Sequence, residues 1–336
     1  VKYDGLRCIL NWENETPILL SRNGNVLNKM FPEIIRFCEK IYEKIKPFLP
    51  LKLDGELVYL ANDVQSTFST VQLRGRMRNQ SVILNHSREF PCHYVAFDLM
   101  EINGESQSNH SIEARKKVLQ TIFKSMKLPL SVERENPKLI QAIDFYKHSK
   151  TVWNKVQVGN GEGIVAKEKS SKWESDNRTG QWLKIKNWKY VTVILTKYDQ
   201  RNGFFHGSIF NREELIEVVT FKHGLSEDEK KILSTLFLSN GIASEKGTWR
   251  LEPSICVDIA TIDFDGKHIR EPRFYAFNFE KNPEECTWRH MQRQLFPLPE
   301  GVQITNPDKP IWPMIGVEKD DYLLYLQKVA SMILPF

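Results

Sequence analysis

The sequence lacks the features that would place it in a membrane, in a secreted scaffold or around a structural metal. No run approaches the roughly 18 consecutive apolar residues of a membrane-spanning helix. No basic-then-apolar leader opens the chain, which starts at Val1-Lys2 in what reads as mid-strand. The expectation from that start is a fragment of a longer protein. The five cysteines (Cys8, Cys38, Cys92, Cys256 and Cys286) are far apart and form no C-x-x-C pair. Neither a zinc site nor a disulfide framework is therefore expected, but buried reduced thiols of a cytosolic protein. There is no internal repeat and no biased tract. With 41% apolar and 26% charged residues the composition is that of a globular protein, which excludes disordered and collagen-like chains. A length of 336 residues suggests two domains and a piece of a third.

What is there begins with charge. The net charge of +5 is unevenly spread: residues 1–189 carry +9, residues 190–297 carry −2 and residues 298–336 carry −2. A basic first domain followed by mildly acidic ones fits a polyanion partner for the first domain.

Strand-like segments dominate residues 1–189: PILLSR (17–22), LDGELVYL (53–60), SVILN (81–85) and CHYVAFDLM (92–100). Apolar residues at helical spacing from Phe31 to Ile45 predict a helix, Ser111 is a plausible N-cap for a second, and a third is predicted over about 138–149. The interspersed pattern predicts an α+β domain of antiparallel sheets flanked by helices. After Trp188 come five short strands and one helix near 226–238, which suit an OB-type barrel over 190–297. Pro297-Leu298-Pro299-Glu300-Gly301 reads as a linker. A helix over 319–333 then opens a last segment, 298–336.

The chemistry starts at Lys2-Tyr3-Asp4-Gly5-Leu6-Arg7. Alone, this K-x-D-G is a solvated lysine before a turn. Behind it, in order, stand Ser21-Arg22-Asn23-Gly24, Asp54-Gly55-Glu56, Tyr94-Val95-Ala96-Phe97-Asp98, Glu162-Gly163-Ile164-Val165-Ala166-Lys167 and Trp182-Leu183-Lys184-Ile185-Lys186. A lysine that attacks a phosphate must be neutral, and burial with neighbouring cations lowers its pKa. Lys167, Lys184 and Lys186 can supply those surroundings and grip a triphosphate; strand alternation puts Lys184 and Lys186 on one face. Glu56 and Glu162 are the natural ligands for a divalent metal, since phosphoryl transfer needs a hard cation with oxygen donors.

These segments resemble those of the covalent nucleotidyltransferases: ATP-dependent DNA ligases, RNA ligases and mRNA capping enzymes. The resemblance implies an adenylation domain over residues 1–189, with Lys2 as the nucleophile that carries AMP. It implies that Glu56 lies near the ribose, that Glu162 serves the metal and that Phe97 stacks on adenine. Arg7 and Arg22 are implied to contact ribose or the nicked strand's phosphate. The cofactors implied are ATP and Mn²⁺ or Mg²⁺. Phe68 to Arg74 resembles the F-x-x-L-Q-x-R segment of cellular and bacterial ATP-dependent DNA ligases, and Arg74, Arg76 and Arg78 form a basic patch suited to DNA phosphates.

Asp265-Gly266-Lys267-His268-Ile269-Arg270-Glu271-Pro272-Arg273-Phe274 resembles a segment of the bacterial multifunctional ligase D family. The tail, TNPDKPIWP followed by the helix, is similar to the start of that family's primase-type polymerase domain. There Lys309 and Lys319 are implied to bind DNA at a gap. The implied function is an ATP-dependent DNA ligase sealing nicks and ends in non-homologous end joining. The bacterial Ku protein is its implied partner, and the implied place is the bacterial cytoplasm at the nucleoid. Two alternatives stand beside it: a ligase for RNA or RNA-terminated strands, and a scaffold that grips DNA ends without sealing them. One departure bears on the last. Where the family has R-x-D-K, this chain has Asn278-Phe279-Glu280-Lys281, and asparagine cannot replace a guanidinium on phosphate. Slow self-adenylation is expected, unless Arg270 or Arg273 substitutes.

Overall fold

The computed structural model describes residues 1–173, 180–245, 247–298 and 301–333. The chain divides into two compact units, Val1–Asn187 and Trp188–Phe336.

In the first unit, strands β1 (Leu6–Trp12) and β2 (Ile18–Ser21) precede helices α1 (Pro32–Lys40) and α2 (Tyr42–Ile45). Then come β3 (Leu51–Val58), α3 (Phe68–Arg76), α4 (Gln80–Glu89), β4 (His93–Ile102) and β5 (Glu105–Ser106). The unit ends with α5 (Ile112–Ser125), β6 (Ile140–Ala142), α6 (Ser149–Val158), β7 (Gly163–Lys167) and β8 (Trp182–Lys186). The main sheet runs β2-β1-β3-β4-β5, with β6 added on β4. Every pairing is antiparallel except the last. Alternation decides which face is inside: Cys8, Leu10 and Trp12 of β1 are buried against Phe31 and Ile34, while Arg7 and Ile9 face the other way. β7 and β8 form a separate antiparallel ribbon.

Two predicted elements differ from the structure. SVILN (81–85) is not a strand but lies in α4, where the Asn79 side chain accepts from the backbone N–H of Ser81 and Val82. Ile83 and Ser87, four residues apart, are the buried positions, so the short apolar run serves one helix face. The helix predicted over 138–149 is replaced by β6, which completes a free edge of β4 (Tyr94 opposite Ile140), and by α6 starting only at Ser149. Ser111 does cap α5, its hydroxyl accepting from Ala114 N–H.

The second unit contains β9 (Lys189–Asp199), β10 (Phe204–Asn211), β11 (Glu214–Phe221), α7 (Glu227–Asn240), β12 (Ile242–Glu245) and β13 (Thr248–Arg250). It continues with β14 (Cys256–Thr261), β15 (Asp263–Phe264), β16 (Ile269–Arg270), β17 (Arg273–Asn278) and α8 (Trp288–Leu295). β9 is long enough to serve three partners. Its first half pairs with β14, its end pairs with β13, and its other edge pairs with β10. Val193, Leu195, Phe205, Phe221 and Phe237 fill the core beneath.

β18 (Pro310–Trp312), β19 (Val317–Glu318) and α9 (Lys319–Ile333) close the chain. Ion pairs tie this tail to α8: Arg289 contacts Asp308, Glu318 and Asp321, and Arg293 contacts Asp320. Pro299 and Glu300 of the predicted linker lie outside the described residues. Among the described residues no helix is long and apolar enough to cross a membrane.

Candidate active site

The site is assembled on the first unit, where the chain before β1 meets the start of β7. Lys2 N–H donates to the Gly163 carbonyl at 2.8 Å, forming an isolated antiparallel bridge. The Lys2 side chain donates to both carboxylate oxygens of Glu162. Gly163 makes this approach possible. Its φ is +151°, and a Cβ there would sit 2.2 Å from the Ile185 carbonyl oxygen. Lys2 and Glu162, far apart in sequence, are thus joined by one glycine that lets three backbones converge.

β3 brings the next carboxylates. Asp54 and Glu56, two residues apart, project from the same face. Arg7 lies opposite Glu56 in register but reaches diagonally to Asp54, with Nε 3.1 Å and Nη2 2.7 Å from its carboxylate oxygens. Burial raises the Asp54 carboxyl above its usual range, against the pull of Arg7. The Glu56 carboxyl is pushed up to about 8, first by burial and then by Asp54, Glu162 and Asp4; Lys2 opposes the rise. The expected nucleophile therefore stands among crowded carboxylates.

On β4, the pairing register shifts between Asp54–Asp98 and Gly55–Ala96, leaving Phe97 as the extra residue of a bulge. Bulges re-aim side chains next to sites. The Lys167 ammonium lies 5.1 Å from the Phe97 ring centre and 3.8 Å from that of Trp182. Trp182 is directly opposite Lys167 on the ribbon, and Lys184 and Lys186 follow on the same face, opposite Val165 and Gly163. Lys184 is exposed and Lys186 half-buried. Burial lowers the Lys167 ammonium to about 8, with Arg115 and Arg7 adding to the shift and Asp98 and Asp54 opposing it.

Three contributors escape sequence reasoning. Arg115 and Asp98 are fully buried and paired by two bonds of 2.8 and 2.9 Å. Lys116 is also buried, donating to the Ile143 carbonyl at 3.2 Å, and burial and then Lys167 lower it to about 7. A signal existed: Ile112, Arg115, Leu119 and Ile122 share one helical stripe, so an arginine sits on the apolar face of α5. Trp182 is the third, readable only once Lys167 is seen across from it.

Other candidate residues lie elsewhere. Arg22 is exposed in the turn after β2. Arg74 is a correction: it is fully buried and not part of a DNA-facing patch. Its guanidinium donates to Glu33 (2.9 Å), His86 Nδ1 (2.7 Å) and the carbonyls of His86 and Phe90 (2.8 and 2.7 Å), clamping α3 to α1 and α4. Arg76 and Arg78 are exposed. In the second unit Lys309 is exposed, and Lys319 Nζ donates to the Thr305 carbonyl at 2.7 Å. Asn278 is a structural clasp there. Its amide donates to Asp258, while its oxygen accepts from the N–H groups of Glu280 and Lys281.

Among the described residues no group of three or more His, Cys, Asp or Glu side chains is arranged to hold a metal. Glu56 and Glu162 still fit a hard divalent cation that takes one or two carboxylates and completes its shell with phosphate oxygens and water. Burial, and then the neighbouring carboxylates, raise the Glu56 carboxyl, so positive charge placed beside it would favour its ionised form.

Comparison with known proteins identifies the family and relatives of the chain. Residues 1–186 match the family model described as "ATP dependent DNA ligase domain". The chain is 35% identical over its whole length to the Bifunctional non-homologous end joining protein LigD of Bacillus subtilis, covering 55% of that protein. It is 25% identical over 319 residues to a DNA ligase of Thermococcus fumicolans, covering 89% of this chain and 55% of that one. It thus spans about half the length of these curated relatives. A solved structure named Pmar-Lig_Pre shares the fold, with a TM-score of 0.59 at 18% identity over 84% of this chain and 63% of that chain. With the lysine, carboxylate and aromatic groups of the matched region gathered at one site, the chain belongs to the ATP-dependent DNA ligase family.

Proposed function

We propose that the chain is the ligase part of a DNA end-joining enzyme that seals 5′-phosphate/3′-hydroxyl breaks through AMP carried on Lys2. The observation that carries this reading is the position of Lys2: bridged to Gly163, paired with Glu162, and beside Glu56. In the first step the Lys2 ammonium leaves Glu162 and gives a proton to solvent water. Its nitrogen then forms a bond to the α-phosphorus of ATP as the bond to pyrophosphate breaks. Lys184 and Lys186, on the same ribbon face as Lys167, supply positive charge to the departing phosphates. Phe97 and Trp182 flank the Lys167 position with aromatic surface suited to a purine. In the second step an oxygen of the DNA 5′-phosphate displaces Lys2 from the AMP phosphorus. In the third the 3′-hydroxyl attacks that 5′-phosphorus and AMP leaves. A divalent cation held by Glu56 and Glu162 would neutralise charge developing on the phosphate oxygens.

The reading extends to an OB-type barrel for the second unit and the start of a polymerase domain at the tail. The likeness to a protein named for non-homologous end joining supports end joining as the process; double-stranded DNA with nicks or ends is the proposed substrate and bacterial Ku the proposed partner. Incubation with ATP labelled at the α-phosphate, with Mn²⁺ or Mg²⁺, tests it on a denaturing gel. The label is expected on the parent chain and absent from Lys2→Ala, and nicked DNA is expected to chase it off. A label of equal strength on Lys2→Ala would overturn the assignment.

A further inference from the structure

The sheet of the second unit carries a row of basic side chains that the Lys2 chemistry leaves unused. Lys197 of β9 lies directly opposite His206 of β10 on one side and Arg250 of β13 on the other. Opposed residues share a face with Cβ atoms about 5 Å apart, so these three basic side chains lie abreast. Glu217 is the local counter-charge, 2.9 Å from His206 Nδ1 and 3.3 Å from Lys197 Nζ. Arg250, at the end of the row, is exposed. Two residues along the same face, Phe204 lies opposite Asp199, whose carboxylate is held by Arg201 at 3.1 and 3.2 Å. The Lys222 ammonium sits 4.5 Å from the Phe204 ring centre.

Lys197, Asp199, Arg201, Phe204, His206 and Arg250 line a concavity of about 340 Å³, with Glu217 and Lys222 outside its lining. A concavity of this size accommodates one unpaired nucleotide but does not enclose a duplex. Positive charge abreast of an aromatic ring is the arrangement that holds single strands, with the backbone tracked by cations and a base stacked on the ring. We propose that this concavity is a subsite for one unpaired nucleotide of a DNA strand. The base stacks on Phe204, and the flanking phosphates lie along Lys197, His206 and Arg250. The proposal rests on the ligase reading for its choice of DNA as the polyanion, and places a single-stranded overhang on the second unit.

The test is fluorescence anisotropy of the whole chain with oligothymidine and with a blunt nicked duplex, each over a salt series. Lys197→Ala, Arg250→Ala and Phe204→Leu are compared with the parent. Each variant is expected to bind oligothymidine about ten-fold more weakly. Each cation variant should also lower the slope of log affinity against log salt by ~0.7. Binding of the blunt nicked duplex is expected to change by less than about two-fold. Arg250 is exposed, so its variant keeps the test open should Phe204→Leu fail to fold. Oligothymidine binding unchanged in the variants, or lost to the same degree as duplex binding, would overturn the subsite. Lys2 labelling by ATP is read in parallel: its absence from the parent would overturn the ligase reading alone, because the oligothymidine result does not use it.

Discussion

Replacing Glu56 by glutamine tests the electrostatics of the site without removing its shape. In the folded chain the carboxyl lies at about 8 against an ordinary value of 4.5, so between those values the folded state holds a proton that the unfolded state has released. Stability therefore falls as pH rises through this window and levels off above about 8. At 1.36 kcal/mol per pH unit the full rise corresponds to ~5 kcal/mol. Glu56 keeps some solvent contact, so screening reduces the expected penalty to ~2 kcal/mol. Glu56→Gln, which stays neutral, should match the parent below about pH 4.5 and exceed it by ~2 kcal/mol above pH 8. Urea unfolding at a series of pH values, without nucleotide, measures the difference. Added Mn²⁺ or Mg²⁺ should narrow the gap by favouring the ionised parent. A gap that stays constant from pH 5 to 9 would refute the claim that burial among carboxylates holds a proton on Glu56. The same variant should label poorly with ATP, because it lacks the carboxylate proposed to help hold the divalent cation.

Four further outcomes are expected. Gly163→Ala should abolish Lys2 labelling while secondary structure persists by circular dichroism, because a Cβ 2.2 Å from the Ile185 carbonyl pushes β8 away from Lys2. Arg74→Ala should destabilise the chain by ~3–5 kcal/mol in urea, since it leaves Glu33 buried without its partner. Its DNA affinity per folded molecule should equal the parent's in a filter-binding assay. Asp98→Asn should cost a similar ~3–5 kcal/mol by stranding the Arg115 charge. Lys116→Met should stabilise the chain by ~1–3 kcal/mol below about pH 7, where the buried ammonium is charged, and the gain should fade by about pH 10.5 in a thermal melt series.

Much of the site could be read from residue order, because the groups that do chemistry are carried by short segments with local meaning. Strand alternation alone put Lys184 and Lys186 on one face, and they are on one face. The α+β pattern, the helix after Ser111 and the helix near 226–238 likewise follow from local spacing and caps. Arg74 shows the limit. In sequence it is the first of three arginines in five residues. In the fold it is swallowed where α1, α3 and α4 meet, because Glu33 and two carbonyls supply what water would otherwise supply. Asn278, standing where the family has arginine, shows a second role invisible in sequence: its oxygen accepts from the N–H groups of Glu280 and Lys281 and so shapes the turn that carries Lys281.

The sequence by itself determined the kinds of groups, their order and the strands and helices that carry them. Propensity, periodicity and capping act within a few residues of each other. Only the tertiary structure decided which groups meet and in what state of charge. The approach of Lys2 to Glu162 depends on a glycine between three backbones, and the raised Glu56 carboxyl depends first on burial and then on the charges of Asp54, Glu162 and Asp4. The row of basic side chains on the second unit depends on the register of three strands. These are sums over neighbours distant in sequence, and desolvation and Coulomb energy are set by such sums.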